Sequence, residues 1–228
     1  MQKIALLSVY DKTNIVKFAE NLIKLGIKII SSGGTTAELK KHGVDCVEVS
    51  AWTGSDETRD GLVKTLHPKI YKSILLGAND PALIAENIEP IVLVACNLYP
   101  FEDKRNIDAI DIGGPTMIFA AAKGWKLHGG VIPVISHDQY DAVITELQNG
   151  KISQKLGDNL FADATSYVAY DRAMVAGTYQ TSDYPKYMAV PLKNSDIEMR
   201  YCENYHQNGT AYINPLEQKT GRFWTANN

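Results

Sequence analysis

Three short strand-like stretches, Ile4 to Val9, Ile27 to Ile30 and Val44 to Val49, limit what the first fifty residues can fold into. Ile4 to Val9 is a continuous apolar run of strand length, the pattern of a parallel strand covered on both faces. Ile27 to Ile30 is a short apolar second strand, and Val44 to Val49, with Asp45 and Glu48 in it, a third. Within Lys12 to Leu25, the residues Ile15, Phe18, Ala19, Leu22 and Leu25 recur at helical spacing, and Gly26 stops the helix. A second helix is expected over Thr36 to His42, closed by Gly43. Strand and helix alternating in this way predict an α/β fold, a doubly wound parallel sheet with right-handed crossovers. Ligands of such sheets sit beyond the carboxyl ends of the strands. Ser8-Val9-Tyr10-Asp11-Lys12 and Ser31 to Thr36 both fall at such ends.

Ser31-Ser32-Gly33-Gly34-Thr35-Thr36 lies between a strand and a helix. Glycines allow close backbone approach, hydroxyls donate, and a helix N-terminus offers unpaired N–H groups at its positive end. The competing reading is a plain strand-to-helix turn with Ser and Thr as caps. The string is neither G-x-G-x-x-G nor a P-loop, so a mononucleotide or sugar phosphate suits it better than a dinucleotide.

Further along, Ser50 to Pro68 is charged and aperiodic, reads as a functional loop, and ends in Val63-Lys64-Thr65-Leu66-His67-Pro68. Ile70 to Leu76 fits a strand or a short helix, and Pro81 to Asn87 a short helix. Ile91 to Cys96 is the next strand, running into Asn97-Leu98-Tyr99-Pro100-Phe101. Asp111 and Pro115 mark the start of a helix through Lys123. A strand over Val131 to Ile135, a helix over Gln139 to Gln148 and a long helix over Ile152 to Tyr179 complete residues 1–180. The long helix carries a stripe of Tyr167, Tyr170, Met174 and Tyr179 that suits either its own core or two-fold pairing. From 181 to 228 the chain reads as a linker and an extended C-terminal arm with little core of its own.

Composition narrows the function classes. A formal charge of -3 over 228 residues, with no sustained basic run, argues against nucleic acid as a partner. Cys46, Cys96 and Cys202 are widely spaced and form no paired framework, which favours a reduced, cytoplasmic setting. The first apolar run is too short for a signal sequence or a membrane span, so no membrane partner is expected.

Ser-Gly-Gly-Thr, Val-Lys-Thr-Leu-His-Pro, Cys-Asn-Leu-Tyr-Pro-Phe, Asp-Ile-Gly-Gly-Pro and Ala-Ala-Ala-Lys follow one another in this order. On these strings residues 1–180 resemble the IMP cyclohydrolase domain of the bifunctional AICAR transformylase/IMP cyclohydrolase family. The resemblance implies a fold like that of methylglyoxal synthase, a homodimer, and no metal or organic cofactor. It also implies a purine ribotide as ligand: formyl-AICAR as substrate and IMP as product, in purine biosynthesis. The carboxamide nitrogen attacks the formyl carbon of the same molecule and water leaves, so positioning supplies much of the catalysis.

By the same resemblance Lys64, Tyr99, Asp111 and Lys123 are the catalytic positions. Lys64 suits an oxyanion partner or a proton donor, Tyr99 a hydroxyl donor or relay, and Asp111 a proton acceptor. Their plain alternatives are a solvated lysine, a core tyrosine and a helix cap. Lys123 stands twelve residues after Asp111, about 18 Å along a continuous helix, so the two would flank an elongated ligand or serve sites across two subunits. Ser8, Lys12, Ser32, Gly33, Gly34, Thr35, Thr65, Asn97, Ile112 and Gly113 fall on the family's substrate-binding positions. His67, followed by Pro68, fits a structural turn as well as a ligand contact.

The chain also departs from the family's pattern. Leu62 and Phe119 stand where relatives carry arginines, Gly124 where they carry asparagine, Tyr10 where they carry serine, and Ser166 where they often carry histidine. The missing arginines remove two bidentate anion contacts, and Arg59 and Lys69 are the nearby candidates to replace them. Met199 to Gln207 resembles the opening of the transformylase domain, with Cys202 and Tyr205 in place of Gly and Pro. Formyl transfer with its folate cofactor is not expected. Besides the cyclohydrolase, a weakened ribotide-binding module and a cyclase for a related ribotide remain as readings.

Overall fold

A computed structural model of the chain describes residues 1–56, 64–198, 210–216 and 223–225. Arg59, Leu62 and the stretch Met199 to Gln207, including Cys202, lie outside the described residues.

The described residues form two compact units, 1–99 with 111–166 and 100–110 with 167–228. The first unit starts with β1 (Ile4–Val9), α1 (Ile15–Lys24), β2 (Lys28–Ser31), α2 (Gly33–Lys41), β3 (Val47–Glu48) and α3 (Val49–Thr53). It continues with α4 (Pro68–Leu75), α5 (Pro81–Ala85) and β4 (Ile91–Asn97). The second unit takes in α6 (Phe101–Lys104). The chain then returns to the first unit with α7 (Gly113–His128), β5 (Ile132–Val134) and α8 (Tyr140–Gln148). The division between units falls within α9 (Gln154–Thr178).

The strands of the first unit form one parallel sheet in the order β3-β2-β1-β4-β5. This is the doubly wound α/β fold the apolar runs predict, reversing direction between β1 and β4. Ser8 pairs with Cys96 and Val9 with Asn97 at that reversal. On one face α1 and α8 pack together, with Phe18 stacked on Tyr140 at a centroid distance of 4.0 Å. Their core includes Leu7, Ile15, Leu22, Leu93 and Val143, all fully buried. On the sheet α4 and α7 pack against each other and against β4.

Two boundaries differ from expectation and both bear on the site. The second helix begins at Gly33 rather than Thr36, because Gly33, at φ 44°, turns the chain directly from extended Ser32 into the helix. The third strand shrinks to Val47–Glu48, because Val49 already starts α3. The stretch Ile70 to Leu76, open between strand and helix, is helical through Leu75 in α4, which has Pro68 in its first turn, His67 as its N-cap and Leu76 as its C-cap.

In the second unit β6 (Lys193–Glu198), β7 (Thr210–Ile213) and β8 (Phe223–Thr225) form an antiparallel sheet in that order. The C-terminal arm therefore has regular structure, and a small core also forms here from Phe101, Ala109 and Met174, joined by Tyr170, Val175 and Leu216. Tyr170 donates its hydroxyl to Glu102 at 2.8 Å, and the Tyr179 ring lies 6.4 Å from that of Phe101. Much of the aromatic stripe on α9 is thus filled from within the chain. Among the described residues no helix is long and apolar enough to cross a membrane.

Candidate functional site at the strand ends

The carboxyl ends of β1, β2, β3 and β4 bring most of the expected residues together. Ser8 and Ser32, at the ends of β1 and β2, share a hydrogen bond of 2.6 Å between their hydroxyls. Thr35 is locked to β1: its hydroxyl donates to the Val9 carbonyl and accepts from the Val9 N–H, both at 3.0 Å. Ser31 is fully buried.

The loop after β1 is tied across the sheet's reversal point by Asn97. Its Oδ1 accepts from the N–H groups of Tyr10 (2.6 Å) and Asp11 (2.9 Å), and its Nδ2 donates to the Asp11 carbonyl (3.1 Å). Asn97 thus builds the loop. Lys12 in that loop donates to the Tyr10 carbonyl at 3.1 Å and reaches Gly34, whose added Cβ would stand 3.7 Å from the ammonium. Thr13 holds the Asp11 carboxyl below its ordinary range, through its hydroxyl first and its N–H second.

Lys64 arrives from the loop before α4. Its ammonium is 3.3 Å from Glu48 Oε1, and the same oxygen accepts from the Gly33 N–H at 3.0 Å. Burial alone would raise the Glu48 carboxyl. The Thr36 hydroxyl, the Gly33 N–H and the Lys64 charge outweigh it and hold the group below its ordinary value. Thr36 acts there by proximity, since its buried hydroxyl has no well-formed hydrogen bond. An ammonium thus stands on each side of Gly33-Gly34, and both glycines are exposed.

The start of α7 closes the other side. Asp111 Oδ1 accepts from the Gly114 N–H at 2.9 Å, so the carboxylate does cap the helix. Thr65 is buried, and a Cβ on Gly113 would stand 2.4 Å from its hydroxyl, so glycine is required at this contact. Tyr99 is half exposed, with its ring 5.2 Å from that of Tyr10. Tyr10, the departure from the family's serine, therefore touches one of the implied catalytic positions.

Ile112, Thr116, Phe119 and Lys123 follow at helical spacing along the exposed side of α7. Asp111 precedes the helix, and Lys123 lies ten residues past Gly113, about 15 Å along the axis. Lys123 is therefore not gathered with Asp111 and Gly113 at the start of α7. Two further expectations resolve as structure. Nδ1 of His67 accepts from the Lys69 N–H at 3.2 Å as the cap of α4. Lys69 donates to the Trp52 carbonyl and lies 4.2 Å from the Trp52 ring centre.

Sequence reasoning missed Glu48 and Tyr71. Glu48 ends a strand, which was the available signal. The Tyr71 hydroxyl is buried without a hydrogen-bond partner among the described residues. Burial pushes it up to about 12, with smaller contributions from Cys96 and Asp111. Its signal is structural only, since α4 could not be told from a strand. Among the described residues no group of three or more His, Cys, Asp or Glu could hold a metal ion.

Comparison with known proteins fits this geometry. Residues 14–116 match the family model of the MGS-like domain, and residues 121–227 that of the AICARFT/IMPCHase bienzyme. The bifunctional purine biosynthesis protein PurH of Persephonella marina is 39% identical over 237 residues, covering 96% of this chain and 45% of that protein. The protein of the same name from Thermoanaerobacter sp. is 41% identical over 234 residues, covering 95% and 45% respectively. That from Clostridium acetobutylicum is 37% identical over 250 residues, covering 100% and 49%. The chain spans about half the length of the curated relatives it matches. The crystal structure of ForH superposes with a TM-score of 0.70 at 27% identity, covering 79% of this chain and all of that one. With the parallel sheet, the ordered strings and these matches agreeing, the chain belongs to the AICARFT/IMPCHase family, in the part of it that carries the MGS-like fold.

Proposed function

We propose that the chain is an IMP cyclohydrolase, closing the purine ring of formyl-AICAR to give IMP and water. The observation that carries this reading is the gathering of Ser8, Ser32, Lys12 and Lys64 around Gly33-Gly34 at the carboxyl edge of a parallel sheet. The Lys12 ammonium, two hydroxyls and a helix N-terminus suit the phosphate of a ribotide, and its base would then extend past Lys64 towards Tyr99 and Asp111.

In the reaction the carboxamide nitrogen bonds to the formyl carbon, the formyl oxygen gains negative charge, and the nitrogen gives up a proton. Lys64 is the nearest cation for that oxygen. Asp111 is assigned to accept the proton, and its Oδ1 also takes the Gly114 N–H. The oxyanion takes up the proton that Asp111 accepted and becomes a hydroxyl. Tyr99 donates as that hydroxyl departs as water, and the formamide nitrogen gives its N–H proton back to Tyr99 as the C=N bond forms. Ile112 and Gly113 border the base, and Lys123 is assigned to the far end of an elongated ligand or to a neighbouring copy in a homodimer. The family resemblance is the ground for that dimer, and sedimentation at micromolar concentration tests it.

A second reading, a ribotide-binding module with weakened catalysis, draws support from Phe119. Its ring is 54% exposed where relatives carry arginine. A direct assay with formyl-AICAR, following IMP by absorbance, separates the two when paired with calorimetry on IMP and inosine. Turnover supports the cyclase. Phosphate-dependent binding without turnover supports the module, and equal affinity for IMP and inosine removes the anion site from both.

A further inference from the structure

We infer that Glu48 is a positioning residue, which holds Lys64 at the start of α2 for the reaction. The inference rests on the cyclohydrolase reading for its catalytic part and on geometry alone for its structural part.

Glu48 is the last residue of β3 and stands at the cap position of α3, yet its side chain makes no capping bond to α3. Glutamate is also outside the residue types that favour such caps. Its carboxylate instead crosses to the neighbouring helix. The register pairs Glu48 with Ser31 on β2, so the side chain leaves the sheet beside the turn into α2. There Oε1 takes the Gly33 N–H at 3.0 Å and the Lys64 ammonium at 3.3 Å.

An exposed ion pair of this kind would contribute only about 0–1 kcal/mol and would not fix a lysine. This pair differs in two respects. The side chains of Lys64 and Glu48 are 16% and 24% exposed, which limits screening by solvent. The carboxylate is also anchored by a backbone N–H at the positive end of a nine-residue helix, so it cannot follow a wandering lysine. The anchored partner fixes the position of the mobile one. Lys64 has four rotatable bonds, and a cation serves an oxyanion best when its position is settled before the charge appears. The arrangement also leaves Lys12, Ser8, Ser32 and Gly34 as the groups open to a phosphate, because the Gly33 N–H already has its anion.

The alternative is that Glu48 only staples the loop before α4 to α2. Competitive acylation of the ligand-free protein with acetic anhydride, read at Lys64 by mass spectrometry, distinguishes the two together with steady-state kinetics. Glu48→Gln keeps an acceptor for Gly33 and removes the charge. It should raise Lys64 acylation at least about threefold and lower kcat about tenfold, while KM changes less than about threefold. Glu48→Asp should recover part of both effects. Glu38→Gln, on the outer side of α2, should change neither.

Unchanged Lys64 acylation in Glu48→Gln overturns the inference. So does raised acylation with unchanged kcat in an active protein, and so does a lower melting temperature with both readouts unchanged, which is the staple. If the unsubstituted chain makes no IMP while Glu48→Gln still frees Lys64, the cyclohydrolase reading fails and the positioning stands.

Discussion

Two helices in this molecule begin with Gly-Gly, and they use it differently. Both α2, at Gly33-Gly34, and α7, at Gly113-Gly114, give one of their first N–H groups to a carboxylate. For α7 the carboxylate is Asp111, three residues before the N–H it accepts from. For α2 it is Glu48, fifteen residues away on another strand. The start of α2 is open, with exposed glycines and an ammonium on either side. The start of α7 is closed: a Cβ on Gly114 would stand 2.4 Å from Asp111 Oδ2 and 2.6 Å from Leu98 Cδ2. One Gly-Gly leaves the space around it open, and the other makes room for the protein itself.

Lys64→Ala breaks that comparison most severely if the reading is right. Removing the cation beside the developing oxyanion should lower kcat by about 100- to 1,000-fold, or roughly 3–4 kcal/mol, with IMP affinity falling only a few-fold. Stopped assays for IMP with calorimetry on the same preparations measure both. The reverse pattern, intact turnover with much weaker IMP binding, would make both ammoniums at α2 phosphate ligands and leave the chemistry to the α7 side.

Substituting the glycines sharpens the contrast in stability. Gly114→Ala forces a methyl into Leu98 and Asp111 and should destabilise by about 1–3 kcal/mol. Gly34→Ala meets only the flexible end of Lys12, at 3.7 Å, and should stay within about 0.5 kcal/mol. Urea midpoints for the two variants check this. Equal losses would mean that the start of α2 is as tightly packed as that of α7.

Asp111 follows with a smaller effect. Asp111→Asn retains a capping oxygen and should leave thermal stability nearly intact, while Asp111→Ala should lose about 1 kcal/mol. Both should slow turnover, because Asp111 is the proposed proton acceptor. If Asp111→Asn cyclises at the normal rate, the cap is the whole role of Asp111.

The two helix starts also separate what could be read in the sequence from what could not. Apolar runs placed the strands, and the sheet's edge rule then placed Ser8, Ser32 and Thr35, because both depend on residues near in sequence. The cap by Asp111 was legible for the same reason, only three positions ahead of its donor. Glu48 was not, since its partners Gly33 and Lys64 come from two other segments and only the β2–β3 register brings them together. Asn97 was read as a ligand donor, but the pairing of β1 with β4 sets its amide against the Tyr10 and Asp11 backbone. The strands after Tyr179 are not legible because β6 is polar at every position but Ile197 and β7 and β8 are short, so alternation carries little signal there.

The smallest effect tests the long-range carboxylate of α2 through its titration. The folded-state pKa of Glu48 lies below the ordinary value of 4.5, so its ionised form is favoured in the folded chain. A depressed carboxyl adds stability that is fully present above the unfolded value and is lost as pH falls through the folded one. Glu48→Gln removes this contribution at every pH. The stability gap between the original chain and Glu48→Gln should therefore be widest at pH 6–7. It should begin to close below about pH 4.5 and disappear under the folded-state value. Urea midpoints for both proteins between pH 7 and pH 3.5 follow the gap without any need for turnover. A gap that keeps its width to the acid end would mean that the Glu48 charge does not hold Gly33 and Lys64. The start of α2 would then be no more electrostatic in construction than the start of α7.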